Sequence, residues 1–259
     1  MKKLLIFLTC LAVFCTIGLA QNNPDQNTDN TKATKAERDA ENRADKDSSK
    51  ADAGKAAERA AAAARVLSEV TNAPDKGIPN EILGSAKCVI VIPGMKKAGF
   101  IVGARYGRGY STCRTENGWT APAPVFLGGG SYGAQIGGEG VDLVLVVMNE
   151  KGVQHLLSSK FEIGVDASAA AGPIGRSASA GTNWKLDSEM LSYSRAKGLF
   201  AGIELNGAKI RQDDDTTKEL YGRVVPFKEI LSGQVQTPPA ARDFVAEVQR
   251  DFREARASK

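Results

Sequence analysis

The sequence predicts an α+β fold, mostly β, with glycine-rich antiparallel sheets or a barrel-like core, flanking short helices and a C-terminal helix. Three observations point there. From Gly94 to Gly140, glycines alternate with Phe, Ile, Val, Tyr and Trp, as in short β pieces separated by turns, bulges and close strand approaches. Residues 141–148, Val-Asp-Leu-Val-Leu-Val-Val-Met, form an apolar run suited to a central buried strand. Near the end of the chain, Phe244, Val248 and Phe252 recur at i, i+4 and i+8, the spacing of a helical stripe docked on a core.

The elements follow in chain order. Met1-Lys2-Lys3 precedes an apolar run from Leu4 to Ile17, then Gly18-Leu19-Ala20 before Gln21. A positive start, a short apolar stretch and small residues before the cut are the parts of an export signal, so residues 1–20 are expected to be removed. A bilayer span needs roughly 20 apolar residues, more than this run supplies. Cys10 and Cys15 lie inside the run, but bulky Phe14 before Cys15 suits lipidation poorly, and soluble release after Ala20 is the expectation. The working protein is therefore expected to be periplasmic or secreted.

Residues 21–54 are rich in Asn, Asp, Lys, Thr and Ala and are expected to be a disordered polar linker, since they hold too little apolar surface to offset ordering entropy. Residues 55–259 are expected to form one domain. It begins with an Ala-rich helix ending before Pro74, with Ala60, Ala64, Leu67 and Val70 near one face. Pro79-Asn80-Glu81-Ile82-Leu83 reads as a short helix start. Lys87 to Ile92 reads as a strand bounded by Pro93-Gly94. After the central run, Asn149-Glu150-Lys151-Gly152 opens a short helix carrying Val153, Leu156 and Leu157. A second β-rich half spans about Phe161 to Ile210. Asp213-Asp214-Asp215 precedes a helix reaching Tyr221, and the last helix runs from Pro239 to about Ser258.

Several chemistries lack their residues. The chain has one histidine, His155, and no Gly-x-Ser-x-Gly, so a hydrolase has no visible nucleophile. No Cys-x-x-Cys or histidine pair suggests a metal, and Asp213–Asp215 reads as a helix N-cap before it reads as a cation site. Gly128-Gly129-Gly130-Ser131-Tyr132-Gly133 matches a dinucleotide fingerprint by letter only, because Gly137-Gly138 follows where a helix should start. No enzyme activity and no cofactor are expected. Losing Lys2 and Lys3 lowers the formal charge from +4 to +2, too little for a general nucleic-acid binder. Cys88 and Cys113 then remain as the thiols of the mature chain. Two cysteines in an oxidising compartment can pair, provided the fold brings their Cα atoms into range.

One constellation stands out. Between Ile82 and Thr115 there is no acidic residue, while Lys87, Lys96, Lys97, Arg105, Arg108 and Arg114 supply six positive charges. Set on turns beside Met95, Tyr106 and Tyr110, which read as exposed, they suit an anionic membrane surface, where each basic residue contributes about 1 kcal/mol. The competing reading is a solvated set of turn residues balanced by carboxylates elsewhere.

Blocks of the sequence also resemble a known family. Ile92-Pro93-Gly94-Met95-Lys96-Lys97-Ala98-Gly99-Phe100, Gly103-Ala104-Arg105-Tyr106-Gly107-Arg108-Gly109 and Leu127 to Gly137 are similar to the SYLF domain. So are Met148-Asn149-Glu150, Ala171 to Arg176 and Ser192-Tyr193-Ser194-Arg195-Ala196-Lys197-Gly198-Leu199-Phe200-Ala201-Gly202. The blocks occur in family order over roughly residues 65–222. The resemblance implies a lipid-binding module, related in eukaryotes to phosphoinositide binding and actin-patch association. It also implies that the N-terminal helix and the adjacent basic residues meet the membrane. Lys96, Lys97, Arg105 and Arg108 are the expected lipid-binding residues, with anionic phospholipid or a membrane surface as partner. The alternative is a structural or protein-interaction domain with an envelope protein partner. Export places the chain away from cytoplasmic actin.

Overall fold

The structure is a computed structural model and describes residues 54–73, 77–99, 102–132, 140–175, 188–196 and 199–258. The expected export signal and nearly all of the expected linker lie outside the described residues. A helix over residues 54–71 (α1) and a short one at Asn80–Ser85 (α2) lead into a long hairpin, β1 (Cys88–Gly99) and β2 (Val102–Thr115). There follow β3 (Gly118–Trp119), β4 (Ala123–Tyr132), β5 (Gly140–Val147), α3 (Glu150–Leu157), β6 (Lys160–Glu162), β7 (Ala169–Ala171), β8 (Met190–Ala196), β9 (Leu199–Gly202) and β10 (Ala208–Gln212). The chain closes with α4 (Asp214–Tyr221), α5 (Phe227–Leu231), a 3-10 turn at Pro239–Ala241 and α6 (Arg242–Ala257).

Ten strands join one curled sheet in the order β6-β10-β4-β2-β1-β5-β8-β7, with β3 beside β2 and β9 beside β8. The strand pairs run antiparallel except β7 with β8. The expected α+β class holds, and helix content is about equal to strand content because α1 and α6 are both long.

Both faces of the central strands are covered, which explains their unbroken apolar runs. Cys88, Ile90, Ile92, Leu143, Leu145 and Val147 pack on one side with Leu156 of α3 and with Phe227 and Ile230 of α5. Val89, Val91, Val144, Val146 and Leu191 pack on the other with α1, α2 and α6. The α6 stripe of Phe244, Val248 and Phe252 is fully buried there, as its spacing predicts. Asn149 caps α3 by accepting from the Gly152 N–H at 3.1 Å.

α1 departs from its expected role. Its buried residues are Ala56, Ala60, Ala63, Val66, Leu67 and Val70, and they face the sheet and α6. The Tyr110 hydroxyl donates to the Ala56 carbonyl at 2.7 Å and ties the helix to β2. A stripe already spent on the core is not free to lie in a membrane interface.

The expected strand end at Pro93-Gly94 is also revised. β1 runs through both residues and carries a bulge there, since its register with β5 shifts between Ile92 and Met95. Gly94 takes φ +59°, a conformation L side chains rarely adopt, and its N–H donates to Asp142 Oδ1 at 2.8 Å. Gly107 and Gly109 of β2 serve the close strand approach that the sequence suggests: a Cβ on Gly109 would stand 2.0 Å from the Val91 carbonyl oxygen.

Candidate functional site

The bulge decides where the predicted cations point. Met95 rejoins the core on the α3 and α5 side of the sheet, so strand alternation sends Lys97 to that side and Lys96 to the other. Across the hairpin, Lys96 pairs with Tyr106 and Lys97 with Arg105. Arg108 shares the side of Tyr106 and of buried Tyr110. Lys96 and Arg108 therefore occupy one face, and Lys97 and Arg105 the other. All four lie on strands, where turns were expected.

Their surroundings differ as much as their directions. Arg105 is 7% exposed, and its guanidinium donates to three backbone carbonyls: Gly130 at 2.9 Å, Glu204 at 3.2 Å and Asn206 at 2.8 Å. It clamps β4 and the segment before β10 to β2, and each of its three nitrogens donates to one of these carbonyls. Arg108 pairs with buried Asp213 at 3.3 Å and with exposed Asp215 at 3.6 Å. Asp213 in turn caps α4, accepting from the N–H and hydroxyl of Thr216. The aspartate run thus works as the N-cap it was expected to be.

Lys97 is partly buried, and burial first, then the charge of Arg105, lowers the pKa of its ammonium from the ordinary lysine value. Lys96 is exposed, and Tyr106 opposite it is 53% exposed. Among the described residues, the hairpin end thus offers an exposed ammonium beside an open phenol on one face and a second, crowded ammonium on the other.

A carboxylate that sequence reading passed over positions this end. Asp142 of β5 holds the bulge through Gly94 and accepts from Arg195 of β8, its cross-strand neighbour, at 3.0 Å from Nε and 2.6 Å from Nη2. Arg195 also pairs with Glu69 of α1. The signal was present in the sequence: a lone aspartate inside an apolar strand needs a partner for its charge.

Cys88 and Cys113 stand opposite each other on β1 and β2 and are bonded, with a Cα–Cα distance of 4.0 Å. His155 Nε2 lies 3.4 Å from Glu189 Oε2, which also accepts from the Ser168 N–H at 3.3 Å, so the pair ties α3 to the start of β8.

Comparison with known proteins adds the relationship. Residues 128–250 match the family model described as "Ysc84: Las17-binding protein actin regulator". The chain is 39% identical over 168 residues to the SH3 domain-containing protein PJ696.02 of Schizosaccharomyces pombe, covering 63% of this chain and 39% of that one. It is 35% identical over 171 residues to Protein YSC84 of Saccharomyces cerevisiae, covering 64% and 36%. With the SH3 domain-containing YSC84-like protein 1 of Rattus norvegicus it shares 32% over 192 residues, covering 73% and 56%. The chain thus spans between about a third and just over half of these relatives. The family-model match takes in Asp142, Arg195 and Asp213 and begins after Lys96, Lys97, Arg105 and Arg108.

Proposed function

The chain carries a Ysc84/SYLF-family domain, and on that footing we propose that it is a non-enzymatic, exported module that binds anionic phospholipid at a cell-envelope membrane. One observation supports this most: exposed Lys96 stands directly across the hairpin from exposed Tyr106, with Lys97 next along the strand on the opposite face. Cations on the two faces of one hairpin end cannot both meet a flat surface laid against either face. They can both meet it when the hairpin approaches end-on, with the phenol at headgroup depth, where tyrosine is favoured.

Two lysines at about 1 kcal/mol each give a weak, reversible, salt-sensitive association. In this reading Arg105 supports the hairpin and adds to its positive field without contacting lipid, and Arg108 holds α4. Export is supported by the N-terminal sequence and suits a bonded Cys88–Cys113 pair, which persists in oxidising compartments.

Flotation with vesicles of phosphatidylcholine alone and with added phosphatidylglycerol tests the reading. Binding only to the anionic vesicles is expected, and equal behaviour with both would overturn it. The family description names Las17 binding for relatives, which favours an envelope protein partner as the second reading. A co-purifying protein together with no lipid response would support that alternative.

A further inference from the structure

A second cationic feature lies at the other end of β2, roughly 30 Å from Arg105 at the ordinary rise per strand residue. There the β2–β3 turn and the last turns of α6 enclose a surface groove of about 680 Å³. Arg114, Arg253 and Arg256 line it, together with Trp119, Gln249 and Glu116. Arg253 and Arg256 are exposed on one stripe of α6, and neither has an ion pair among the described residues. Glu116, the acid in the lining, is also exposed.

Arg114 is the unusual member. Its guanidinium lies over the Trp119 ring, 5.1 Å from the centroid, and Trp119 is itself held edge-on by Phe252 at 4.7 Å. One nitrogen makes a long contact of 3.4 Å to the Gly84 carbonyl. The other two, Nε and Nη2, are buried without a hydrogen-bond partner. Two buried guanidinium nitrogens without acceptors are costly, and the charge of Arg256 nearby adds repulsion. Contrast Arg105 on the same strand, every nitrogen of which is matched by a carbonyl. Folding has satisfied one arginine of β2 and left the other waiting for an acceptor.

We propose that this groove is a binding site for a phosphate group, with Arg114 at its floor on Trp119 and with Arg253 and Arg256 closing on it from α6. Planar guanidiniums present paired donors that fit phosphate oxygens, and three of them against one carboxylate suit a dianion. Trp119 fixes the plane of Arg114 at the groove. The site is separate from the lysines of the β1–β2 end, so it stands or falls independently of the membrane reading above.

Trp119 supplies the readout. The chain has two tryptophans, so Trp184→Phe leaves Trp119 as the single reporter. At constant ionic strength, inorganic phosphate or glycerol phosphate is expected to change its emission saturably. Arg253→Ala/Arg256→Ala, both on an exposed helix face, should weaken that response about tenfold or more, while Lys96→Ala/Lys97→Ala should leave it unchanged. Arg256→Glu should abolish the response and raise the thermal midpoint of the ligand-free protein, because a carboxylate there meets Arg114. A response confined to phosphatidic acid vesicles, and lost in the double arginine variant, would assign the phosphate to a lipid headgroup. A response to the soluble phosphates assigns it to a free phosphate ligand. No saturable response to any of the three probes, or equal affinity in the double arginine variant, would overturn the proposal.

Discussion

Arg108 and Asp213 form an ion pair of 3.3 Å that joins β2 to the first turn of α4. Asp213 is 2% exposed, so its charge is stabilised by that arginine and by the two donors of Thr216. Arg108 is partly open to solvent, and Thr216 keeps the carboxylate capped without it. Arg108→Ala is therefore expected to cost only about 1 kcal/mol of stability in urea unfolding. Vesicle binding should be unaltered. Lys96→Ala should do the reverse, weakening vesicle binding with unchanged stability.

Arg105 carries a larger structural burden. Truncation to Ala leaves three carbonyls without their donor and removes the link between β2, β4 and the segment before β10. We expect a loss of about 3 kcal/mol in urea denaturation. Arg105→Lys should recover only part of it, since one ammonium cannot span the three acceptors.

Much of this architecture is legible in the sequence, and what is not has a definite cause. The stripe of Phe244, Val248 and Phe252, the apolar run of β5 and the caps at Asn149 and Asp213 rest on local periodicity and hydrogen bonding. The cation cluster fails at one residue. A bulge at Gly94 shifts the register, so adjacent Lys96 and Lys97 point to faces that only the cross-strand pairing with Tyr106 and Arg105 identifies. The clamp of Arg105 uses carbonyls of residues 130, 204 and 206, which no local pattern connects. Arg114 stands in the acid-free basic stretch, but its groove depends on α6, far along the chain.

The Cys88–Cys113 bond closes a loop with a sequence separation of 25, between strands already paired. Restricting the unfolded chain over a loop of that length is worth about 3 kcal/mol. Dithiothreitol, or Cys88→Ala/Cys113→Ala, is expected to lower the urea midpoint accordingly while leaving the far-ultraviolet circular dichroism spectrum native-like.

Burial pushes the Tyr110 hydroxyl up to about 12 from its ordinary 10, and that hydroxyl holds α1 through Ala56. Between these two values the folded protein keeps a proton that the unfolded chain has lost. Stability must therefore fall as pH rises from 10 towards 12, by at most about 1.4 kcal/mol per pH unit. Tyr110→Phe should be about 1 kcal/mol less stable at pH 8 and should lack this part of the alkaline decline. Thermal unfolding of both proteins across that range checks the sign.

In the proposed function the β1–β2 end meets anionic lipid through Lys96 and Lys97. Flotation of wild type and of Lys96→Ala/Lys97→Ala with the same phosphatidylglycerol vesicles, at low and at high salt, tests it most directly. Wild-type binding is expected to fall with salt, and the double variant to bind severalfold less with an unchanged thermal midpoint. Equal flotation of the two proteins at low salt would contradict it.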